Sequence, residues 1–168
     1  MISSDKLKIY YFRVTEVWKY LCEQHNELFN LTCDEYICLL SSEIEKLEQK
    51  TKEKIVVIET IGRLEKMRSE IIDDINKDLE NKKIENVSQL LDLMLNTEIE
   101  ISNKYLFRFN TLLIDLIEKI QKQNKKNQLF INKAINSLRD IRQQVAGTKS
   151  FSTYNAKGTA KLNAIKME

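Results

Sequence analysis

The sequence of 168 residues contains no proline and only three glycines. These two residue types mark most tight turns, so a chain this poor in them lacks the turns that a sheet of many short strands needs. Two of the glycines, Gly147 and Gly158, lie near the C-terminus. The scarcity predicts an all-α protein built from long helices.

Histidine and cysteine are scarce as well. His25 is the only histidine, and Cys22, Cys33 and Cys38 are odd in number. A di-iron helical bundle needs a glutamate and a histidine three residues apart on each of two helices, and isolated glycines cannot form a phosphate-binding loop. His25 falls on an apolar helix row, so we expect it to be packed. The sequence therefore predicts no enzyme, no metal site and no cofactor, with free thiols in a reducing cytoplasm.

The charge and hydropathy of the sequence limit the classes of partner that we expect. The formal net charge is only +2, and no basic stripe interleaved with aromatic residues is present, so we expect no nucleic-acid binding. No apolar run approaches 18 residues and no signal peptide opens the chain, which predicts a cytoplasmic protein without an integral membrane segment. Acidic pairs such as Glu98 with Glu100 lie on different helix faces, and we expect them to be solvated.

Apolar residues recur every three or four positions in three stretches, which predicts helices over about 5–30, 33–80 and 87–146. Thr32 and Glu35 have the spacing of a capping box, which predicts a helix start there. The last stretch carries a coiled-coil row. Short links make successive helices antiparallel. We therefore expect an elongated antiparallel three-helix coiled-coil bundle over 1–146, with two long helices, and a flexible tail over 147–168.

One end of this predicted bundle has only two helices, near the loop around Lys82. Apolar residues there would be exposed and would favour a homodimer or a bound partner. They are Leu90, Leu93, Met94 and Leu95.

Asn124 and Asn127 interrupt the apolar row of the last helix. A polar residue on a coiled-coil seam costs stability and often sets the register, so one interpretation is a register device. The other is a hinge that lets the segment 129–145 open and offer its apolar side to an amphipathic helix.

The residues from Asn124 to Ile131, followed by Tyr154 and Gly158, resemble the C-terminal half of the FlgN family of flagellar export chaperones. In that family two asparagines three positions apart precede an aliphatic pair, and a tail with a tyrosine follows the helix. The stretch 52–68, with a lysine, spaced aliphatic residues and an arginine, is similar to the middle helix of the family. The resemblance covers roughly residues 6–158.

The resemblance implies a cytoplasmic export chaperone for type III secretion in flagellum biogenesis. Such a protein would bind the C-terminal segments of the hook-filament junction proteins FlgK and FlgL and deliver them to the export gate protein FlhA. Tyr154 and Gly158 would dock on the gate. The residues expected to contact the exported protein are Leu129, Phe130, Ile131, Ile135, Leu138 and Ile141.

Two alternatives stay open at this point. One is a non-enzymatic coiled-coil adaptor or scaffold, in which the asparagines only set the register. The other is a chaperone for a different flagellar export substrate.

Overall fold

The computed structural model describes residues 2–79, 83–148, 152–154 and 160–162. Its regular elements there are helices and one pair of three-residue strands, which confirms the prediction of an all-α protein for the body of the chain. The helices are α1 Ser4–Ser41, α2 Ile44–Asp78, α3 Val87–Met94, α4 Glu98–Asn103 and α5 Tyr105–Thr148. The strands are β1 Ser152–Tyr154 and β2 Ala160–Leu162.

The chain divides into two compact units, residues 1–127 and 128–168. The first holds α1 to α4 and the first half of α5. The second holds the rest of α5 and the two strands, which pair antiparallel with Tyr154 opposite Ala160. The division comes earlier than the predicted boundary at residue 146. Flexibility of the tail after that residue stays a prediction, as does the elongated three-helix coiled coil.

Helices α1 and α2 form an antiparallel hairpin. Near one end the Tyr10 hydroxyl donates a hydrogen bond to the Asp78 carboxylate, and toward the other Lys54 pairs with Glu35 at 2.8 Å. Helices α3 and α5 add apolar side chains to the same core. Its fully buried members include Tyr11, Val14, Trp18, Leu21, Ile75, Leu90, Met94 and Leu106.

The predicted break between the first two helices, at residues 30 to 33, is wrong. Thr32 lies inside α1, where its hydroxyl donates to the Leu28 carbonyl at 2.6 Å instead of capping a new helix. Leu31 and Thr32 are both buried, so tertiary contacts keep this stretch helical. The chain turns at Ser42, whose backbone has the left-handed φ of 57°.

The predicted third helix is three helices. Thr97 caps α4, and Lys104, with φ 53°, separates α4 from α5. These breaks turn α3 onto the core, so Leu90 and Met94 are fully buried and the prediction that they are exposed is wrong. Leu95 is half exposed.

Glu100 stabilises the second break. Its side chain is 1% exposed and accepts three hydrogen bonds: from the Tyr11 hydroxyl at 2.6 Å, the Leu106 amide at 3.0 Å and the Phe107 amide at 2.9 Å. The carboxylate thus satisfies free amides at the start of α5, where negative charge is favoured. Burial and this hydrogen bond raise the pKa of Tyr11 well above its ordinary value. The expectation that Glu100 is solvated is wrong.

We predict that Glu100→Ala lowers the free energy of unfolding by about 2–4 kcal/mol, because it leaves a buried hydroxyl and two amides without an acceptor. Glu100→Gln, which keeps one acceptor oxygen, should cost less. Urea unfolding followed by circular dichroism measures both. The exposed Glu118 provides the control, since Glu118→Ala should change stability by less than about 0.5 kcal/mol. A loss in Glu100→Ala no larger than in this control would contradict the prediction.

Candidate protein-binding site

Burial along α5 stops at Asn127. Before it, Leu106, Leu113, Leu116 and Ile120 are buried, and Asn127 itself is 6% exposed. Between residues 128 and 147 no side chain is buried. Five large aliphatic side chains of this second half of α5 are 49–67% exposed: Leu129, Ile135, Leu138, Ile141 and Val145. A soluble protein avoids a contiguous exposed apolar surface unless that surface binds a partner.

Most of these aliphatic side chains, together with the half-buried Ile131, follow the helix period. Ile131, Ile135, Leu138, Ile141 and Val145 are separated by four, three, three and four positions, which places them on one side of α5. We call these five residues the α5 stripe. Its exposure reaches 67% at Leu138 and 56% at Ile141. Such a stripe can receive the apolar side of another helix.

Two of the predicted contact residues lie away from the centre of the stripe. Phe130 is roughly 100° around the helix axis from Ile131, at the edge of the stripe. Leu129 is roughly 160° from Ile131, on the opposite side of the helix, and is 53% exposed. The helix therefore brings Ile131, Ile135, Leu138 and Ile141 together and separates Leu129 from them.

Charged side chains are distributed unevenly around residues 128–147 of α5. By helix geometry Arg142 lies within the angular range of the stripe and Arg139 borders it, whereas Lys133 and Asp140 lie on the far side. The stripe side of the segment is therefore basic.

Polar contacts anchor α5 immediately before the stripe. The Asn127 side-chain amide donates to the Thr32 carbonyl of α1 at 2.9 Å, and the Asn124 side-chain oxygen accepts from Lys54 of α2 at 3.1 Å. The Lys126 ammonium lies 4.2 Å from the centroid of the Tyr36 ring. Both predicted asparagines thus contact the α1–α2 hairpin. Their role as register or hinge residues stays a prediction.

The other residues considered for chemistry are packed. His25 is 8% exposed with Nδ1 2.7 Å from the Leu21 carbonyl oxygen, as expected. The Cys22 thiol donates to the Phe109 carbonyl at 3.2 Å, and burial raises its pKa to about 11. Within the described ranges, no three His, Cys, Asp or Glu side chains are grouped as metal ligands. No helix in those ranges is long and apolar enough to span a membrane.

The predicted gate-docking residues fall in the second unit. Tyr154 is the last residue of β1. Gly158 lies outside the described residues. Sequence reasoning missed Lys54, which joins Glu35 of α1 to Asn124 of α5; a lysine among aliphatic residues on a helix gives no local sign of such a bond.

We predict that Asn127→Asp destabilises the protein more than Asn127→Ala. The alanine variant loses two hydrogen bonds, one donated to the Thr32 carbonyl and one accepted from Gln123, each worth about 1 kcal/mol. The aspartate variant keeps an acceptor for Gln123 but places a carboxylate oxygen against the Thr32 carbonyl oxygen in a buried site, which costs more. Urea unfolding at pH 7 measures the difference. Repeating it near pH 4, where aspartate begins to protonate and can donate a hydrogen bond, should narrow the gap. Equal stability of the two variants at pH 7 would contradict the Asn127 to Thr32 hydrogen bond.

Comparison with known proteins agrees with the resemblance. The family model described as "FlgN protein" matches residues 10–161, which is most of the chain. No curated protein and no solved structure gives a significant match. FlgN proteins are chaperones of flagellum biogenesis and protein secretion, not enzymes. The chain therefore belongs to the FlgN family of flagellar export chaperones.

Proposed function

We propose that this chaperone acts in the cytoplasm, binds the C-terminal segments of the junction proteins FlgK and FlgL on the α5 stripe, and delivers them to the export gate protein FlhA. The observation that carries the proposal is the helix-spaced apolar row on residues 131–145, exposed from Ile135 onward, of a chain that belongs to this family. No nucleotide or other cofactor takes part.

Binding on such a surface is expected to couple to folding. A disordered segment that becomes an amphipathic helix buries its apolar side against the stripe, and this burial offsets the conformational entropy that the segment loses. The exported protein is then protected from aggregation through the same side chains. Leu138, the most exposed member of the stripe, would be central to the contact.

The anchor before the stripe supports this function. The hydrogen bonds of Asn124 and Asn127 fix the first half of α5 to α1 and α2, so the free energy of binding is not spent on ordering that part of the helix. In this proposal the asparagines act as register residues.

We predict that Leu138→Glu weakens binding of peptides from the FlgK and FlgL C-termini of the same organism at least tenfold, because it places a charge in an apolar contact. Isothermal titration calorimetry measures the affinity, and circular dichroism measures the helix gained. Leu129→Glu is the matched control: it introduces the same charge at an exposed leucine on the opposite side of α5 and should bind like the unmodified chain.

Equal loss in the two variants would show that the side of the helix does not matter, which contradicts a stripe. No heat and no helix gain with either peptide would remove FlgK and FlgL as partners and would favour an adaptor role.

We predict that Tyr154→Ala impairs binding to the soluble domain of FlhA and leaves the peptide affinity unchanged. A tyrosine contributes a large ring and a polar tip at small entropic cost, which suits a docking residue. A pull-down with purified domains, run beside the calorimetry, measures both properties. Tyr105→Ala, at a 45% exposed tyrosine of α5, is the control and should retain both. Loss of peptide binding in Tyr154→Ala would mean that the tail has another role.

A further inference from the structure

The first half of α5 is a basic helix in an otherwise acidic unit. Residues 104–127 have six basic and two acidic residues, a net charge of +4. Residues 1–103 have 14 basic and 21 acidic residues, a net charge of −7. Both stretches belong to the first compact unit. The excess of positive charge in this unit therefore lies on one helix segment, which the proposed export function does not use.

Most of these basic side chains have no acidic partner. Lys119 pairs with Asp115 at 2.7 Å, and the Lys126 ammonium lies over the Tyr36 ring. Among the residues that the structure describes, no carboxylate pairs with the remaining four, which are Lys104, Arg108, Lys122 and Lys125. The positive charge of this segment is therefore available to a partner.

Exposed apolar side chains lie on the same side of the helix as this charge. Phe107 and Ile114 are 56% and 52% exposed and lie about two helical turns apart. By helix geometry Arg108, Lys122 and Lys125 share with them a sector of roughly 120°, opposite the buried side chains of α5. We call these five residues the α5 outer face. Exposed apolar side chains bordered by charge are typical of a surface that binds another molecule.

The backbone of the α5 outer face is ordered from inside the core. The Phe107 amide donates to the Glu100 carboxylate at 2.9 Å, and the neighbouring Leu106 is fully buried. Farther along the helix, Leu113 and Leu116 are buried on either side of the exposed Ile114. A partner would therefore meet a helix that is already fixed, which reduces the conformational entropy lost on binding.

The charge of the whole unit indicates which anionic partner fits. A membrane is a broad plane, so an anionic membrane in contact with α5 would also face the acidic remainder of the unit, which repels it. A helix is only about 10 Å wide, so an acidic helix can follow α5 alone. Its apolar side chains would pack on Phe107 and Ile114, and its carboxylates would pair with Arg108, Lys122 and Lys125.

We propose that the α5 outer face is a docking surface for an acidic amphipathic helix of another protein. It is a second binding surface, in the first unit of the chain, whereas the α5 stripe belongs to the second unit. The proposal does not depend on the export function or on the identity of the exported protein.

Isothermal titration calorimetry of the full chain against two synthetic helical peptides of about 20 residues tests the proposal. One peptide has leucine at the a and d positions of each heptad and glutamate at e and g, and the other has lysine in place of each glutamate. The glutamate peptide should bind at about 0.1 M salt and at least tenfold more weakly at about 1 M, because the Debye length falls from about 10 to 3 Å. The lysine peptide should not bind.

Matched variants locate the bound peptide on α5. Ile114→Glu should weaken binding of the glutamate peptide at least tenfold, and Lys122→Glu at least fivefold, because each places a carboxylate against an acidic helix. The controls lie on α2: Ile55→Glu alters an isoleucine that is also 52% exposed, and Lys66→Glu makes the same charge change at an exposed lysine. Both controls should bind like the unmodified chain. Circular dichroism checks that each variant keeps its helix content.

Three results would overturn the proposal: no binding of the glutamate peptide, equal binding of the lysine peptide, or an equal loss in the α2 controls. Co-sedimentation with phosphatidylcholine vesicles that contain phosphatidylserine tests the membrane. Binding of the vesicles without binding of the peptide would also overturn the proposal and would assign this surface to anionic lipid. Leu138→Glu should leave the affinity for the glutamate peptide unchanged, so the result is independent of the FlgK and FlgL titrations.

Discussion

The carboxylate of Glu100 is the interaction on which the first unit depends. It ties the start of α5 to Tyr11 of α1 through three hydrogen bonds between 2.6 and 3.0 Å, in a site closed to water. Without it, α5 would begin with unpaired amides inside the core. With it, the chain can break between α4 and α5 without glycine or proline, and α3 can cover the core with Leu90 and Met94.

The two halves of α5 lie in different environments. Up to Asn127, α5 packs in the core and is held by polar contacts to α1 and α2. Between residues 128 and 147 none of its side chains is buried. An isolated helix is marginal in water, so the anchored half supplies the order that the exposed half needs. A surface that is both ordered and apolar is what a chaperone needs to receive an unfolded segment.

Individual residues show which features of the structure could be predicted from the sequence. The packed role of His25 followed from its place on an apolar helix row, and the α5 stripe followed from its spacing. The prediction that a helix begins at the Thr32 capping box is wrong because Leu31 and Thr32 are buried in the core. Burial outweighs a local capping preference there. The prediction that Glu100 is solvated is wrong for a related reason. Its spacing from Glu98 is typical of a solvated helix face, and the hydrogen bond from Tyr11, which is distant in sequence, helps to make its burial favourable.

The sequence by itself determined the helical character, the family and the periodic apolar stripe, because these depend on residue type and on spacing within one helix. Only the tertiary structure decided where α1 ends, where the predicted third helix breaks, that Glu100 is buried and that Lys54 meets Asn124. These features depend on hydrogen bonds and burial between residues distant in the chain. A local pattern carries no information about which distant groups will satisfy a buried carboxylate or a buried amide.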